Sequence, residues 1–179
     1  MSGTTDPLII TRRDIRRLMS PADYLDAVEV AFQAAAMGKA SSPMPMHLPV
    51  THGAFHGKGA SISLGRDYVV VKVNGNFPGN PAKHGLPTIQ GAILLFDAAD
   101  GRLLAVMDSM SITALRTAAA SAVAARHLAR ERCDALLICG CGGQAAAQLR
   151  AMLCVRKPGR VHAYDQDARK ATRFAALLQ

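Results

Sequence analysis

Apolar and polar positions follow different periods in the two halves of the chain. Helical spacing of apolar residues over Tyr24–Ala35, after a Ser20 cap, predicts a helix whose apolar stripe joins the core. Asp67–Asn74 has a valine-rich strand pattern, and Ile89–Phe96 with Leu103–Met107 predicts a hairpin closed by a glycine turn. Between these strands, the turn-rich segment Gly75–Pro87 predicts a long loop. We therefore expect the first half to be a mixed helix-and-sheet unit rather than a β-α-β repeat.

The last third has the order of apolar strand, glycine-rich turn, helix, apolar strand and helix. Leu136–Cys139 is a continuous apolar run, typical of a strand buried on both faces, and Arg160–Tyr164 predicts the second strand. Lys157, followed by proline and glycine, ends the helix between them. An alanine-rich helix at about residues 112–130 links the two halves.

The glycine-rich turn carries the first chemical signal. Gly140, Gly142 and Ala145 fit the G-x-G-x-x-A pattern of a dinucleotide-binding unit, where small residues permit a sharp turn and close approach of a pyrophosphate. Asp165 follows Gly140 by 25 residues, close to the spacing of an acid that binds the adenosine ribose. A buried strand with a tight turn and no ligand is the alternative that these residues leave open.

Two cations lie at positions that suggest an anionic ligand. Lys72 alternates with valines, so it either meets an anion on a buried sheet face or lies in water on a half-exposed one. Arg116 lies near a helix N-terminus, where the helix dipole disfavours a cation unless an anion binds; a surface arginine is the alternative. His47, His52 and His56 match no metal-binding spacing and are interpreted as loop histidines.

Composition narrows the class of protein. The chain has 179 residues, 50% of them hydrophobic, enough for one sizeable core or two small ones. It has no run of about 18 apolar residues and no secretory signal pattern, so we expect a soluble cytoplasmic protein without membrane contact. The four cysteines lack zinc-site spacing, and neither a metal nor a disulfide is expected. The net charge of +8 is scattered and aromatics are only 4%, which argues against nucleic acid and is compatible with small anions.

Four segments together make the chain resemble the ornithine cyclodeaminase/mu-crystallin family along nearly its whole length. They are VKVNGNFPGNP, GLPTIQGAILLFDAADGRLLAVMDS, ITALRTAAASAVAARHLAR and CGCGGQA, in this order. The resemblance implies an α/β protein with an N-terminal α+β substrate and dimerisation domain over residues 1–115. The first part of a Rossmann-type nucleotide-binding domain follows over 116–179. It also implies a homodimer and NAD as cofactor, with NADP left open by Arg169 and Lys170 beside Asp165.

The resemblance also implies roles for individual residues. Lys72 matches the family lysine at the substrate carboxylate, with a catalytic part in proton movement, and Arg116 matches the arginine between that carboxylate and the cofactor. The implied cofactor contacts are Thr88, Arg116, Gly140, Gly142, Gly143, Gln144 and Asp165. Many members carry a carboxylate-binding arginine near Met44–Leu48. This chain has none there, so His47 or another residue of the following loop is expected to replace it.

The implied function is that of an NAD-dependent ornithine cyclodeaminase-like enzyme, an oxidoreductase or lyase of amino-acid metabolism. Its substrate is a small amino or cyclic imino acid, and the type reaction converts ornithine to proline and ammonia. A pyrroline-2-carboxylate or ketimine reductase is the alternative of the same fold. The aspartate that cyclodeaminases use in the later nucleotide domain has no counterpart here. We therefore expect a truncated portion of the family fold, and a non-catalytic member is the third alternative.

Overall fold

The computed structural model describes residues 6–177, and the contacts among residues divide the chain into two units. The first comprises the chain up to Leu18 together with Val30–Ile112, and the second comprises Met19–Glu29 and the chain from Thr113 onward. Each unit mixes strands with helices, so the chain is α/β, as the sequence predicts. None of the helices in the described part of the chain is long and apolar enough to cross a membrane.

A seven-stranded sheet forms the centre of the first unit. Its strands are β1 (Leu8–Ile10), β2 (Ala40–Ser41), β3 (Met46–Val50), β4 (Gly53–Ser63), β5 (Asp67–Asn76), β6 (Ile89–Asp97) and β7 (Leu103–Asp108). They are ordered β1-β7-β6-β5-β4-β2, with β3 also paired to β4. Only β1 and β7 run parallel among these described strands; the other pairs are antiparallel. The predicted hairpin is β6–β7, and its turn uses Gly101 at φ 74°.

Helices α1 (Arg12–Leu18), α2 (Pro21–Ala36) and α3 (Asn80–His84) lie between these strands in the sequence. The predicted cap of α2 is confirmed: the Asp23 amide donates to Ser20 Oγ at 3.3 Å, and the Ser20 amide donates to the Asp23 carboxylate at 2.7 Å. The predicted core stripe is only partly correct, because Tyr24 is buried whereas Phe32 is 53% exposed. Helical periodicity defines a face, and packing decides which turns of it are covered.

From Thr113 onward, helix α4 (Ser109–Leu128) belongs to the second unit, together with the elements that follow it. These are β8 (Ala135–Cys139), α5 (Ala145–Val155), β9 (Arg160–Tyr164) and α6 (Ala168–Ala176), with β8 and β9 parallel. One apolar cluster joins Tyr24 and Leu25 to the alanines of α4 and to Ala151, where small side chains allow the helices to approach closely. A second cluster joins Leu149 of α5 to Phe174 of α6.

Two predictions about local structure are wrong. Strand β8 is not buried on both faces: Leu136 and Ile138 pack against the cluster around Leu149, whereas Leu137 is 57% exposed. An apolar run indicates a strand but does not show how many layers cover it, and in the described chain helices cover one face. The loop expected around Gly75–Pro87 is partly regular, because β5 continues to Asn76 and α3 follows.

Candidate functional site

The glycine turn after β8 and the acid after β9 lie together. Gly140 adopts φ 91°, which only glycine adopts readily, and its amide donates to the Tyr164 carbonyl at 2.7 Å. The next amide, that of Cys141, donates to Asp165 Oδ2 at 2.8 Å. The Asp167 amide donates to Asp165 Oδ1 at 2.9 Å. The Asp165 carboxylate is therefore fixed against the turn.

These hydrogen bonds set the charge at the end of the small sheet. The Asp167 amide, and then the Cys141 amide, lower the pKa of Asp165, so the carboxylate is ionised at neutral pH. Burial, and then the Asp165 charge, raise the pKa of the Cys141 thiol. Each carboxylate oxygen has a second lone pair, so Asp165 can still accept hydrogen bonds from a ligand hydroxyl.

The turn leaves open space at two of its glycines. A Cβ added at Gly142 or Gly143 would meet no atom within 4 Å, so the protein itself leaves open space above the turn. Ala145 is 4% exposed and packs in the cluster that contains Leu136, which brings the α5 N-terminus close to the strand. Gln144 caps α5 without a side-chain hydrogen bond. The open turn, the helix N-terminus and the adjacent carboxylate together fit a pyrophosphate and ribose.

In the first unit, Lys72 lies directly opposite Lys58 on the antiparallel strand β4. Opposed side chains on a sheet have Cβ atoms about 5 Å apart, and like charges at that separation are unfavourable. Both lysines line a cavity of about 180 Å³, whose wall is completed by His56, Asn74, Asn76 and Ile89. An anion bound in this cavity would relieve the repulsion between the two ammonium groups.

Asn74, in the same cavity wall, is fixed by a hydrogen bond from Ser109. It is 9% exposed, and its Oδ1 accepts a hydrogen bond of 2.6 Å from Ser109 Oγ, which is fully buried. Its neighbour on β6 is Gly91, where a Cβ would overlap the Val73 carbonyl oxygen and Asn74 Oδ1. Because Oδ1 accepts from Ser109, the amide nitrogen is the hydrogen-bond donor that Asn74 can offer to a ligand.

The interpretation of all three early histidines as loop residues is wrong for two of them. His47 of β3 is paired with His56 of β4, and their Nδ1 atoms are 3.3 Å apart; only His52 lies in the turn between these strands. Glycines at alternate positions conceal the strand pattern of β4, because small residues pack too little surface to signal a strand. His56, unlike His47, lines the cavity with Lys72.

The remaining predicted residues divide between the units. Thr88 immediately precedes β6 in the first unit, and its carbonyl accepts a hydrogen bond of 2.8 Å from the Phe77 amide. Arg116 is an exposed residue of α4 that belongs to the second unit, as do the glycine turn and Asp165. Within residues 6–177, no carboxylate forms an ion pair with Arg116. The structure thus groups the turn with Asp165, and Lys72 with residues that the sequence did not single out.

Lys58, His56 and Asn74 are the site residues that sequence reasoning missed. Alternation along GAFHGKGASIS puts His56 and Lys58 on one face, and the same rule puts Asn74 beside Lys72. This alternation is visible in the sequence, but only the register between β4 and β5 shows that these residues line one cavity.

The whole chain matches one known family. A model of the ornithine cyclodeaminase/mu-crystallin family matches residues 5–179. The alanine dehydrogenase of Archaeoglobus fulgidus is 37% identical over 97% of this chain. The chain spans about half the length of the curated relatives it matches, 53% in that case.

Solved structures agree with the fold. An archaeal alanine dehydrogenase dimer with bound NAD has a TM-score of 0.90 and 37% identity, over 96% of this chain and 52% of that one. The Δ1-pyrroline-2-carboxylate reductase of Thermococcus litoralis, in complex with NADH and L-proline, has a TM-score of 0.87 and 35% identity, over 94% and 52%.

Proposed function

The chain belongs to the ornithine cyclodeaminase/mu-crystallin family, and on this basis we propose that it carries the substrate site and the first half of the cofactor site of an NAD-dependent enzyme. The enzyme transfers hydride to or from the α-carbon of a small amino or imino acid. We propose that the first unit is the substrate and dimerisation domain expected over 1–115, and that the second is the partial nucleotide domain expected over 116–179. We also propose that the enzyme is located in the cytoplasm.

The observation that carries the cofactor proposal is the hydrogen bond from the Cys141 amide to Asp165, which ties the glycine turn to the acid. In this proposal the amides of Gly142, Gly143 and Gln144 face the pyrophosphate, and Asp165 accepts the ribose hydroxyls. NAD supplies or accepts the hydride when bound. Arg116, which belongs to the same unit as the turn, is proposed as a further cofactor contact. Relatives solved with NAD or NADH support this assignment.

NAD is favoured over NADP by the charges around Asp165. A 2′-phosphate would meet the ionised Asp165 carboxylate, and repulsion would weaken its binding. Arg169, which could have attracted that phosphate, instead directs its guanidinium to the Asp167 carboxylate at 3.0 Å. This exposed ion pair is weak, so the preference rests mainly on Asp165.

Gly142 offers the sharpest test of the cofactor site. Because a Cβ at Gly142 would contact no atom of the protein, Gly142→Ala should fold normally yet intrude on the pyrophosphate. We expect NADH binding, followed by fluorescence titration, to weaken by about tenfold or more, equivalent to roughly 1.4 kcal/mol. Gly79→Ala is the matched control, since its Cβ would make only ordinary contacts with Lys83. Equal NADH affinity in the two variants would rule out this cofactor site.

For the substrate, we propose that Lys72 and Lys58 hold the α-carboxylate. Lys58 then takes the part of the arginine that is missing near Met44–Leu48, instead of His47. The facing lysines provide two charge-assisted hydrogen-bond donors, and Lys72 can also move a proton at the α-nitrogen. Lys58→Gln should raise KM for the amino acid far more than it lowers kcat, because it weakens binding in ground and transition states alike.

The reaction itself has two forms that assays separate. Reduction of an imine consumes NADH in proportion to substrate and releases no ammonia, as expected of a relative of pyrroline-2-carboxylate reductases. A cyclodeaminase would convert ornithine to proline and ammonia with catalytic NAD, and a probable ornithine cyclodeaminase is among the structural neighbours. We favour the reductase or dehydrogenase form, because the described cavity wall offers no carboxylate for a second substrate ammonium. NADH binding without turnover on any of these substrates would instead support the non-catalytic alternative.

We also propose a homodimer formed through the sheet face opposite the cavity. Met46, Leu48 and Val50 alternate with His47 on β3 and are each nearly half exposed, at 47%, 49% and 47%. An exposed apolar face of this kind is typical of an interface, and the archaeal alanine dehydrogenase is described as a dimer. Leu48→Glu should shift the mass measured by light scattering from dimer to monomer. Leu128→Glu, at an exposed leucine of α4, should leave the dimer intact.

A further inference from the structure

The cavity around Lys72 has its polar groups in two rows along the sheet. Lys58 and Lys72 form one row; His56 and Asn74, directly opposite each other on the same strands, form the next. Alternate residues of a strand are separated by about 6.7 Å, so the rows are one such step apart. A short bifunctional carboxylic acid can place one end at each row, because the hydrogen bond at each end adds about 3 Å to the span of the molecule.

The second row has two side chains that can hydrogen-bond to a ligand. Asn74 is nine-tenths buried, and its Oδ1 accepts from the Ser109 hydroxyl, so its NH₂ group is the donor that it can offer to a carboxylate. The Nδ1 of His56 contacts the Nδ1 of His47, which leaves Nε2 of His56 as its second hydrogen-bonding atom. Both residues line the cavity.

The charge of the cavity wall distinguishes between substrate classes. The wall residues described include two lysines and a histidine but no aspartate or glutamate. A diamino acid bound through its carboxylate to the lysines would bring a second ammonium into this cationic wall, and repulsion would oppose it. A second carboxylate would instead gain charge-assisted hydrogen bonds.

We propose that the substrate is an amino or imino dicarboxylic acid, with its α-carboxylate at Lys72 and Lys58 and its second carboxylate at His56 and Asn74. This inference rests on the proposed function, because it uses the same cavity and the same α-carboxylate site. It goes further by naming the substrate class, and it makes His56 a specificity-determining residue. A relative described as an iminosuccinate reductase acts on a compound of this class.

Matched four-carbon probes test the second subsite without requiring turnover. Calorimetry would compare succinate, butyrate and γ-aminobutyrate, which differ in the group at one end. We expect succinate to bind about tenfold or more tightly than either of the others. His56→Ala should reduce this preference to near unity, whereas His52→Ala, in the exposed turn, should preserve it. Comparable binding of succinate and γ-aminobutyrate, or an unchanged preference in His56→Ala, would overturn the proposal.

Substrate oxidation separates this inference from the proposed function. Turnover of aspartate and alanine would be measured by NADH formation, and turnover of ornithine by ammonia release, because a cyclodeaminase regenerates its NAD. Aspartate is expected to have the highest kcat/KM. Turnover that favours alanine or ornithine would support the enzyme assignment and overturn the dicarboxylate inference. Selective succinate binding with no turnover of any amino acid would keep the subsite and overturn the enzyme assignment. Circular dichroism of His56→Ala confirms that the variant is folded before the preference is measured.

Discussion

The buried hydrogen bond between Ser109 and Asn74 gives the most quantitative prediction. Ser109 is fully buried and Asn74 is 9% exposed, so water cannot replace the bond of 2.6 Å when it is lost. Ser109→Ala deletes the donor and leaves Asn74 Oδ1 buried without a partner. The cost of such an orphaned acceptor is about 1–3 kcal/mol. We therefore expect Ser109→Ala to lower the free energy of unfolding of the first unit by about 2 kcal/mol.

Urea denaturation followed by circular dichroism measures this loss, and hydrogen exchange at β5 assigns it to the first unit. Ser111→Ala, two residues further along α4, is the matched control and should change stability by less than about 0.5 kcal/mol. The same bond should also matter to ligands, because it fixes which end of the Asn74 amide is left for the cavity. A Ser109→Ala protein within about 0.5 kcal/mol of wild type would refute this account of Asn74.

Three further predictions concern single positions. Gly91→Ala should destabilise the protein by about 2–3 kcal/mol in urea titrations, because its Cβ would overlap the Val73 carbonyl; an unchanged midpoint would contradict the register of β5 and β6. Thr113→Val should raise the unfolding free energy by up to about 1 kcal/mol in a thermal melt, because Thr113 Oγ1 is buried without a partner among the described residues. A loss of stability would instead indicate a useful hydroxyl contact. The hydrogen bond from Arg66, and then that from the Ala99 amide, lower the pKa of Asp97. The stabilisation of the fold by the ionised Asp97 carboxylate is therefore present above about pH 4, and it is lost as pH falls through the lower, folded-state pKa. Asp97→Asn should flatten this part of an acid titration followed by circular dichroism, and an identical profile would exclude the role of Asp97.

Several elements and the glycine turn could be predicted from the sequence alone, because they depend on local rules. Residue types a few positions apart predict three such features: the reciprocal hydrogen bonds of Ser20 and Asp23, the β6–β7 hairpin and the left-handed conformation of Gly140. Gly140 and Asp165 lie close together in the structure, because two neighbouring parallel strands end at the same edge of their sheet.

Strand pairing and packing determine which residues distant in sequence share a surface. The sequence suggested an anion near Lys72, but the register of β4 against β5 brought Lys58 opposite it and His56 opposite Asn74. Likewise, the apolar run of β8 could not reveal that Leu137 is exposed, because burial depends on what packs against a strand. Periodicity gives each strand two faces, whereas strand pairing and layer packing decide what each face meets.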